Sequence, residues 1–281
     1  MKNWSERLEP TDFTATYKVN NVIYELQSPH QHIMLFENAT MGRVLAIDGV
    51  VQTTENDEFT YHEMLVHVPI LAHGAAKKIL VIGGGDGGCI KELFKQVSIE
   101  SVTLVDIDES VITISQKYLE KICGNAFSDP RLNIVISDGA IFVKECVEKF
   151  DLIIVDSPDP IGAGEILFSK EFYSNCKRVM SDSSVLITQN GVPFTQGKEL
   201  QRSISIWRTL FSDSRCYLTN VPSYIGGPLA IGWATNDINL RSTPLEVIEE
   251  RFKKALIKCD YYTPETHIAA FALPKYIRKL L

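Results

Sequence analysis

No apolar run in this 281-residue chain approaches the ~20 residues a membrane-spanning helix needs. The first ten residues, MKNWSERLEP, lack the apolar core of a secretory signal, so a cytoplasmic protein without membrane attachment is expected. Cysteine is scarce and scattered. The six (Cys89, Cys123, Cys146, Cys176, Cys216, Cys259) form no C-x-x-C pair, so reduced thiols used for packing are expected rather than a disulfide framework. Positive charge is short too: 28 Lys and Arg against 35 Asp and Glu leave a net charge of −7. That argues against nucleic acid and anionic membranes and suits cationic ligands, although solubility alone explains it as well. There is no internal repeat and no low-complexity segment. The remainder, 45% hydrophobic and 22% charged, is ordinary for a soluble globular chain.

The order of patterns predicts two architectures in succession. Residues 16–19, 22–26, 33–36, 44–47 and 50–53 are rich in β-branched and aromatic side chains, with turn signals between them. Asp48-Gly49 between apolar runs is a hairpin signal. A small antiparallel β domain over 1–56 is expected. Helical spacing over 57–72 makes a connector within 57–77. From residue 78, strand patterns at 79–82, 102–105, 132–136, 152–155 and 185–188 alternate with helical patterns at 89–97, 109–121, 140–148 and 170–180. This predicts βαβ units, hence a Rossmann-like, methyltransferase-type, mostly parallel sheet with helices on both faces. That catalytic domain would run over 57–281 and add a helix near 197–211, strands near 216–221 and 229–235, and a helix at 245–257.

The first of those strands enters a glycine turn, LVIGGGDGG (80–88), that fits G-x-G-x-x-G at Gly83, Gly85 and Gly88. Such a turn brings a ligand close to bare backbone at a helix start. Asp86 inside it is wrong for a diphosphate: two unit charges ~4 Å apart repel by roughly 4 kcal/mol at an effective dielectric near 20. A nucleoside whose reactive end is positive fits better. Ligands of open α/β sheets lie beyond the carboxyl ends of the strands. There, four strands in succession are followed by acids: Asp86, then Asp106-Ile107-Asp108, then Asp138-Gly139, then Asp156-Ser157-Pro158-Asp159. Gln189 follows the fifth. Asp106 sits where an acid accepts hydrogen bonds from ribose hydroxyls. Asp138 reads equally as an adenine contact or as a helix N-cap, and Asp108 as the cap of the helix from Glu109. Asp86 suits an amine tail, Asp156 and Asp159 a second amine. Carboxylates between two cationic reactants offset their mutual repulsion.

GGGDGG, EFTYHEM (58–64), DSPDPIGAGE (156–165) and HIAAFALPKY (267–276) together resemble the bacterial spermidine synthases, the polyamine aminopropyltransferases, nearly end to end. The resemblance implies transfer of the aminopropyl group of decarboxylated S-adenosylmethionine to putrescine, giving spermidine and methylthioadenosine in a homodimer. Carried over by position, Gln31, Asp106, Ile107, Asp138, Gly139 and Ala163 would contact the nucleoside, and Asp86 the aminopropyl amine. Asp156 would accept the proton. Tyr61, His62, Ser157, Pro158, Asp159, Gln189 and Tyr224 would line the polyamine channel. Three positions depart from the usual pattern: Asp106 stands for a longer glutamate, Pro158 for serine or threonine, and Ala163 for proline.

The implied step is an in-line displacement at the carbon beside sulfur, needing no metal, resident cofactor or covalent intermediate. An aspartate of pKa ~4 is a poor base for an amine of pKa ~10, so Asp156 is expected to orient the ammonium and pass its proton on through Tyr61 or water. HEMLVH (62–67) is one residue too long for the zinc motif H-E-x-x-H and puts His62 and His67 on different helix faces. Two alternatives stay open: a methyltransferase using S-adenosylmethionine on a polyamine, and a noncatalytic polyamine-binding protein.

Overall fold

The computed structural model describes residues 2–7, 11–158 and 162–281, with the side chains of 7, 162 and 163 outside the description. The N-terminal part forms two antiparallel sheets. One pairs β1 (Lys2–Arg7) with β2 (Thr14–Val19); the other orders β3 (Asn21–Gln27), β4 (His32–Asn38), β5 (Gly42–Ile47) and β6 (Val50–Thr54). Strand β1 is absent from the sequence pattern. KNWSER has neither the alternation nor the β-branched content of a strand, and pairing with β2 along its whole length supplies what propensity does not. Asp48 and Gly49 join β5 to β6 with φ of 50° and 80°, the positive values a two-residue hairpin turn requires.

Helix α1 (Phe59–His73) leads into a seven-stranded sheet ordered β12–β13–β11–β10–β7–β8–β9. Its members are β7 (Lys78–Gly83), β8 (Ser101–Asp106), β9 (Leu132–Ile136), β10 (Phe150–Asp156), β11 (Met180–Gln189), β12 (Asp213–Thr219) and β13 (Leu229–Thr235). The five strands β7 to β11 run parallel; β13 is antiparallel to both β11 and β12. Alternate residues feed opposite cores, as the two-residue period of a strand demands. Ile79, Val81, Leu104, Ile154 and Ile187 pack with α1 and with α2 (Gly88–Phe94). Leu80, Ile82, Val105, Ile153 and Leu186 pack on the other face, with Phe172 and Tyr173 of a helix at Lys170–Arg178 and Trp207 of one at Pro193–Trp207. Every residue of α1 from Thr60 to Ala72 is buried, so its charged side chains need partners inside the protein.

The helix expected over 109–121 is two, Glu109–Tyr118 and Glu120–Cys123. Two short C-terminal helices, Pro264–Ala270 and Lys275–Arg278, carry no long periodic signal. The first is fixed by a Thr263/Thr266 capping box, in which threonine replaces the usual Glu or Gln. No helix among the described residues is long and apolar enough to cross a membrane.

Chain order sets the site. From β7 the chain steps outward to β8 and β9, then returns to the opposite flank of β7 for β10. The crevice at such a reversal is where open α/β sheets bind ligands. Here it opens between the carboxyl ends of β7 and β10, with Gly83 in register with Asp156.

Candidate active site

Asp86 and Asp156 face each other across that crevice. The Asp86 Oδ1 accepts the Gly88 N–H at 2.9 Å, while Oδ2 stands 3.5 Å from His62 Nε2. His62 is on α1 and 1% exposed; its Nδ1 lies 2.6 Å from Glu58 Oε2. The other Glu58 oxygen takes Lys91 Nζ at 2.6 Å. Space for the imidazole comes from Gly88, where a Cβ would meet the ring at 2.2 Å. At Gly85 a Cβ would stand 2.6 Å from Asp106 Oδ2. Thus the glycines of this turn make room for an imidazole and a carboxylate.

The Asp156 Oδ1 accepts the Tyr61 hydroxyl at 2.7 Å. The Tyr61 ring lies 6.2 Å from that of Tyr224, whose hydroxyl donates to the Gln52 carbonyl. The N–H of Ser223 donates to Asp57 Oδ2 at 2.7 Å, and Tyr17 donates to the Ser223 carbonyl at 3.4 Å. So Tyr224 is placed by the N-terminal sheets. The buried hydroxyl of Ser157 has no hydrogen-bond partner among the described residues.

Burial and crowding of like charge give these groups unusual proton affinities. Asp156 is pushed up to about 6, chiefly by burial and then by the Asp86 charge. Asp106 is also raised to about 6, mainly by burial, although the Asp108 N–H donates to its Oδ1 at 2.9 Å. Burial works against the His62 imidazolium, but Asp86 and Glu58 outweigh it and hold its pKa well above the ordinary value. Burial likewise works against the Asp86 carboxylate, and His62 with the Gly88 amide holds its pKa low. Burial raises Tyr61 well above a normal phenol, so its hydroxyl donates and does not act as a base.

The next two strand ends continue the acidic rim. Asp108 caps the helix at Glu109–Tyr118 through the Ser110 N–H at 3.0 Å, as expected, and its Oδ2 accepts from Ser28 at 2.6 Å and from Gln31 Nε2 at 3.1 Å. Gln31 is thereby fixed next to the Asp106 loop. Ile107 is 36% exposed. Asp138 caps the following helix, with the Ala140 N–H at 2.7 Å from Oδ1. That satisfies the capping alternative at this residue. Gly139 starts the helix; a Cβ there would meet Ile82 at 2.4 Å. Gln189, at the end of β11, accepts the Gly191 N–H at 3.0 Å. Pro158 is exposed. Asp159 and the Ala163 side chain lie outside the described residues.

Glu58 and Lys91 are the site residues the sequence reading missed. The signal was present, because Glu58 is four residues before His62 at a helix start. His67 does point elsewhere, with Nε2 3.0 Å from the buried Glu92. His62, Asp86 and Asp156 have ligand atoms within 4.8 Å of one another, close enough to share a cation. Both nitrogens of His62, however, already face carboxylate oxygens, at 2.6 and 3.5 Å, and a hydrogen on each would leave no lone pair for a metal. The surviving oxygens suit ammonium groups. A separate surface cavity of about 650 Å³ is lined by Arg208, Arg215, Arg241 and Arg278, and its charge would repel ammonium.

Residues 58–244 match the family described as "Spermine/spermidine synthase domain", and residues 3–55 match "Spermidine synthase tetramerisation domain". The polyamine aminopropyltransferase of Ruegeria sp. (strain TM1040) is 50% identical over 99% of this chain and 98% of its own. Polyamine aminopropyltransferase 1 of Pseudomonas aeruginosa is 49% identical over 93% and 91%. Among solved structures, a spermidine synthase in complex with the transition state analogue AdoDATO superposes with a TM-score of 0.94 at 37% identity, covering 99% of this chain and 94% of that one. The spermidine synthase of Thermotoga maritima gives 0.91 at 36% identity, over 99% and 93%. On fold, sequence and the placement of the acidic rim, this chain belongs to the spermine/spermidine synthase family.

Proposed function

We propose that this aminopropyltransferase uses the facing Asp86 and Asp156 carboxylates to gather decarboxylated S-adenosylmethionine and putrescine. The observation that carries the reading is the pair of carboxylates at the β7/β10 reversal, where a diphosphate would be repelled. Asp86 takes the ammonium of the aminopropyl chain. Asp106, with Ile107, Gln31, Asp138, Gly139 and Ala163, holds the nucleoside. Tyr224, His62, Gln189 and the 157–159 segment wall the diamine.

In the reaction, the neutral amine of putrescine attacks the carbon beside the sulfonium. An N–C bond forms, the C–S bond breaks with its electron pair going to sulfur, and the nitrogen loses one proton. Tyr61 occupies Asp156 Oδ1 and leaves Oδ2 for that amine. With its pKa near 6, Asp156 is a better proton acceptor than an ordinary aspartate, and the sulfonium beside the amine lowers the amine's own pKa. The step runs without metal or resident cofactor. A homodimeric, cytoplasmic protein divided at residues 56 and 57 completes the reading.

Incubating the chain with putrescine and decarboxylated S-adenosylmethionine is expected to yield spermidine and methylthioadenosine. Methylated polyamine from S-adenosylmethionine, or diamine binding without turnover, would overturn it.

The pH profile follows from the same carboxylates. Protonation of Asp156 removes the charge that holds the diamine, so activity is lost as pH falls through the raised pKa. We expect kcat/KM for putrescine to fall about tenfold per pH unit below about 6. A profile flat down to pH 4.5 would exclude the assignment.

A further inference from the structure

We propose that Glu58 and Lys91 are positioning residues that hold His62 as a doubly donating imidazolium, so that Asp86 meets the donor's ammonium as a fixed carboxylate. This deepens the reading above and rests on it only for the identity of that ammonium.

The four groups form a chain of alternating charge: Lys91 Nζ to Glu58 Oε1 at 2.6 Å, Glu58 Oε2 to His62 Nδ1 at 2.6 Å, and His62 Nε2 to Asp86 Oδ2 at 3.5 Å. A neutral imidazole would turn a lone pair toward one of two carboxylates, which is repulsive. Two hydrogens, one per nitrogen, remove the conflict. The side chains of His62 and Glu58 are 2% and 6% exposed, so water does not supply the missing partner. The charged and titratable groups facing the ring come from α1, the glycine turn, α2 and β10, and Glu92 on α2 stands 3.8 Å from Lys91 Nζ. Tyr61 lies beside it on α1 with rings 5.1 Å apart, Asp86 faces it from the glycine turn, Lys91 and Cys89 belong to α2, and Asp156 faces it from β10.

The formal charges of Lys91, Glu58, His62 and Asp86 cancel. Asp156 and Asp106 are then the surplus negative charges of the rim. Without the charge on Glu58, the imidazolium loses one of its two counterions. It then releases its proton at lower pH, and a buried Asp86 without a cation beside it binds protons more readily. The consequence falls on the donor, whose ammonium Asp86 receives, and spares methylthioadenosine, which has none.

Glu58→Gln keeps an oxygen for the Nδ1 hydrogen and removes only charge. We expect the donor KM to rise tenfold or more, with the acid limb of kcat/KM moved to higher pH. Affinity for methylthioadenosine should stay within about threefold. Nitrogen chemical shifts of histidine-labelled protein should show His62 protonated on both nitrogens at pH 8 in the parent and titrating below that pH in the variant. Should Glu58→Gln fail to fold, the nitrogen shifts of the parent decide the state of His62 by themselves, and Lys91→Gln, which alters a partly exposed side chain, is expected to raise the donor KM by freeing Glu58 from its anchor while His62 stays protonated. A neutral His62 in the parent at pH 8, or a folded variant with the parent's donor KM and pH profile, overturns the proposal. Absence of aminopropyl transfer by the parent would instead count against the reaction assigned above and leave the nitrogen measurement intact.

Discussion

Asp156→Asn is expected to lower kcat by two to four orders of magnitude, the range associated with a positioned acid–base group. The amide keeps an oxygen for the Tyr61 hydroxyl, so the geometry of that contact, 2.7 Å in the parent, survives while the charge and the proton acceptor are lost. The KM for putrescine should rise as well, because the ammonium loses its counterion. Binding of methylthioadenosine should persist, since Asp106 and Gln31 are untouched. Stability supplies the control. A carboxyl group whose folded pKa is raised by burial binds more protons in the native state than in the unfolded chain. Its contribution to stability therefore declines as pH rises from the ordinary value of 3.8 through about 6. At pH 7 the variant escapes that penalty and should melt no lower than the parent. Near-normal turnover in a well-folded variant would exclude Asp156 as proton acceptor.

The second large effect is expected at Asp86→Asn. Hydrogen bonds to charged groups contribute about 1.5–3 kcal/mol, and each 1.4 kcal/mol is tenfold in affinity, so decarboxylated S-adenosylmethionine should bind roughly 10–100-fold more weakly. Methylthioadenosine lacks the donor's ammonium and should bind within about threefold of the parent. Calorimetry with both ligands tests the difference. Equal weakening of the two would mean that Asp86 shapes the glycine turn and does not receive an amine.

Much of this site was legible because its chemistry is tied to strand ends. Apolar runs announced β7, β8, β9 and β10, and each run was followed by an acid within four residues. Once the sheet is parallel, those acids share one rim whatever their spacing in the chain. The switch between β7 and β10 was not legible, because strand order is a tertiary property. The pairing of Asp156 with Tyr61, 95 residues apart, was within reach only through the family resemblance. Strand β1 escaped notice because its partner, not its composition, makes it a strand. The helix at Pro193–Trp207 begins earlier than its periodicity indicates, since Gln196 interrupts it with a non-helical φ of −115°. Asp138 was ambiguous for a physical reason: a residue directly after a parallel strand and before a helix is placed both to cap and to face a ligand.

The tethering of Tyr224 bears on how far the protein can be taken apart. One wall of the proposed diamine channel comes from the loop after β12, yet it hangs from Gln52 on β6, from Asp57 and from Tyr17 on β2. The nucleotide fold is therefore not a detachable engine with an assembly module bolted in front. Swapping the leading strands for those of a relative is expected to disturb the Tyr224 wall, and a shortened chain starting at α1 would forfeit that wall together with Gln31 and its hold on Asp108.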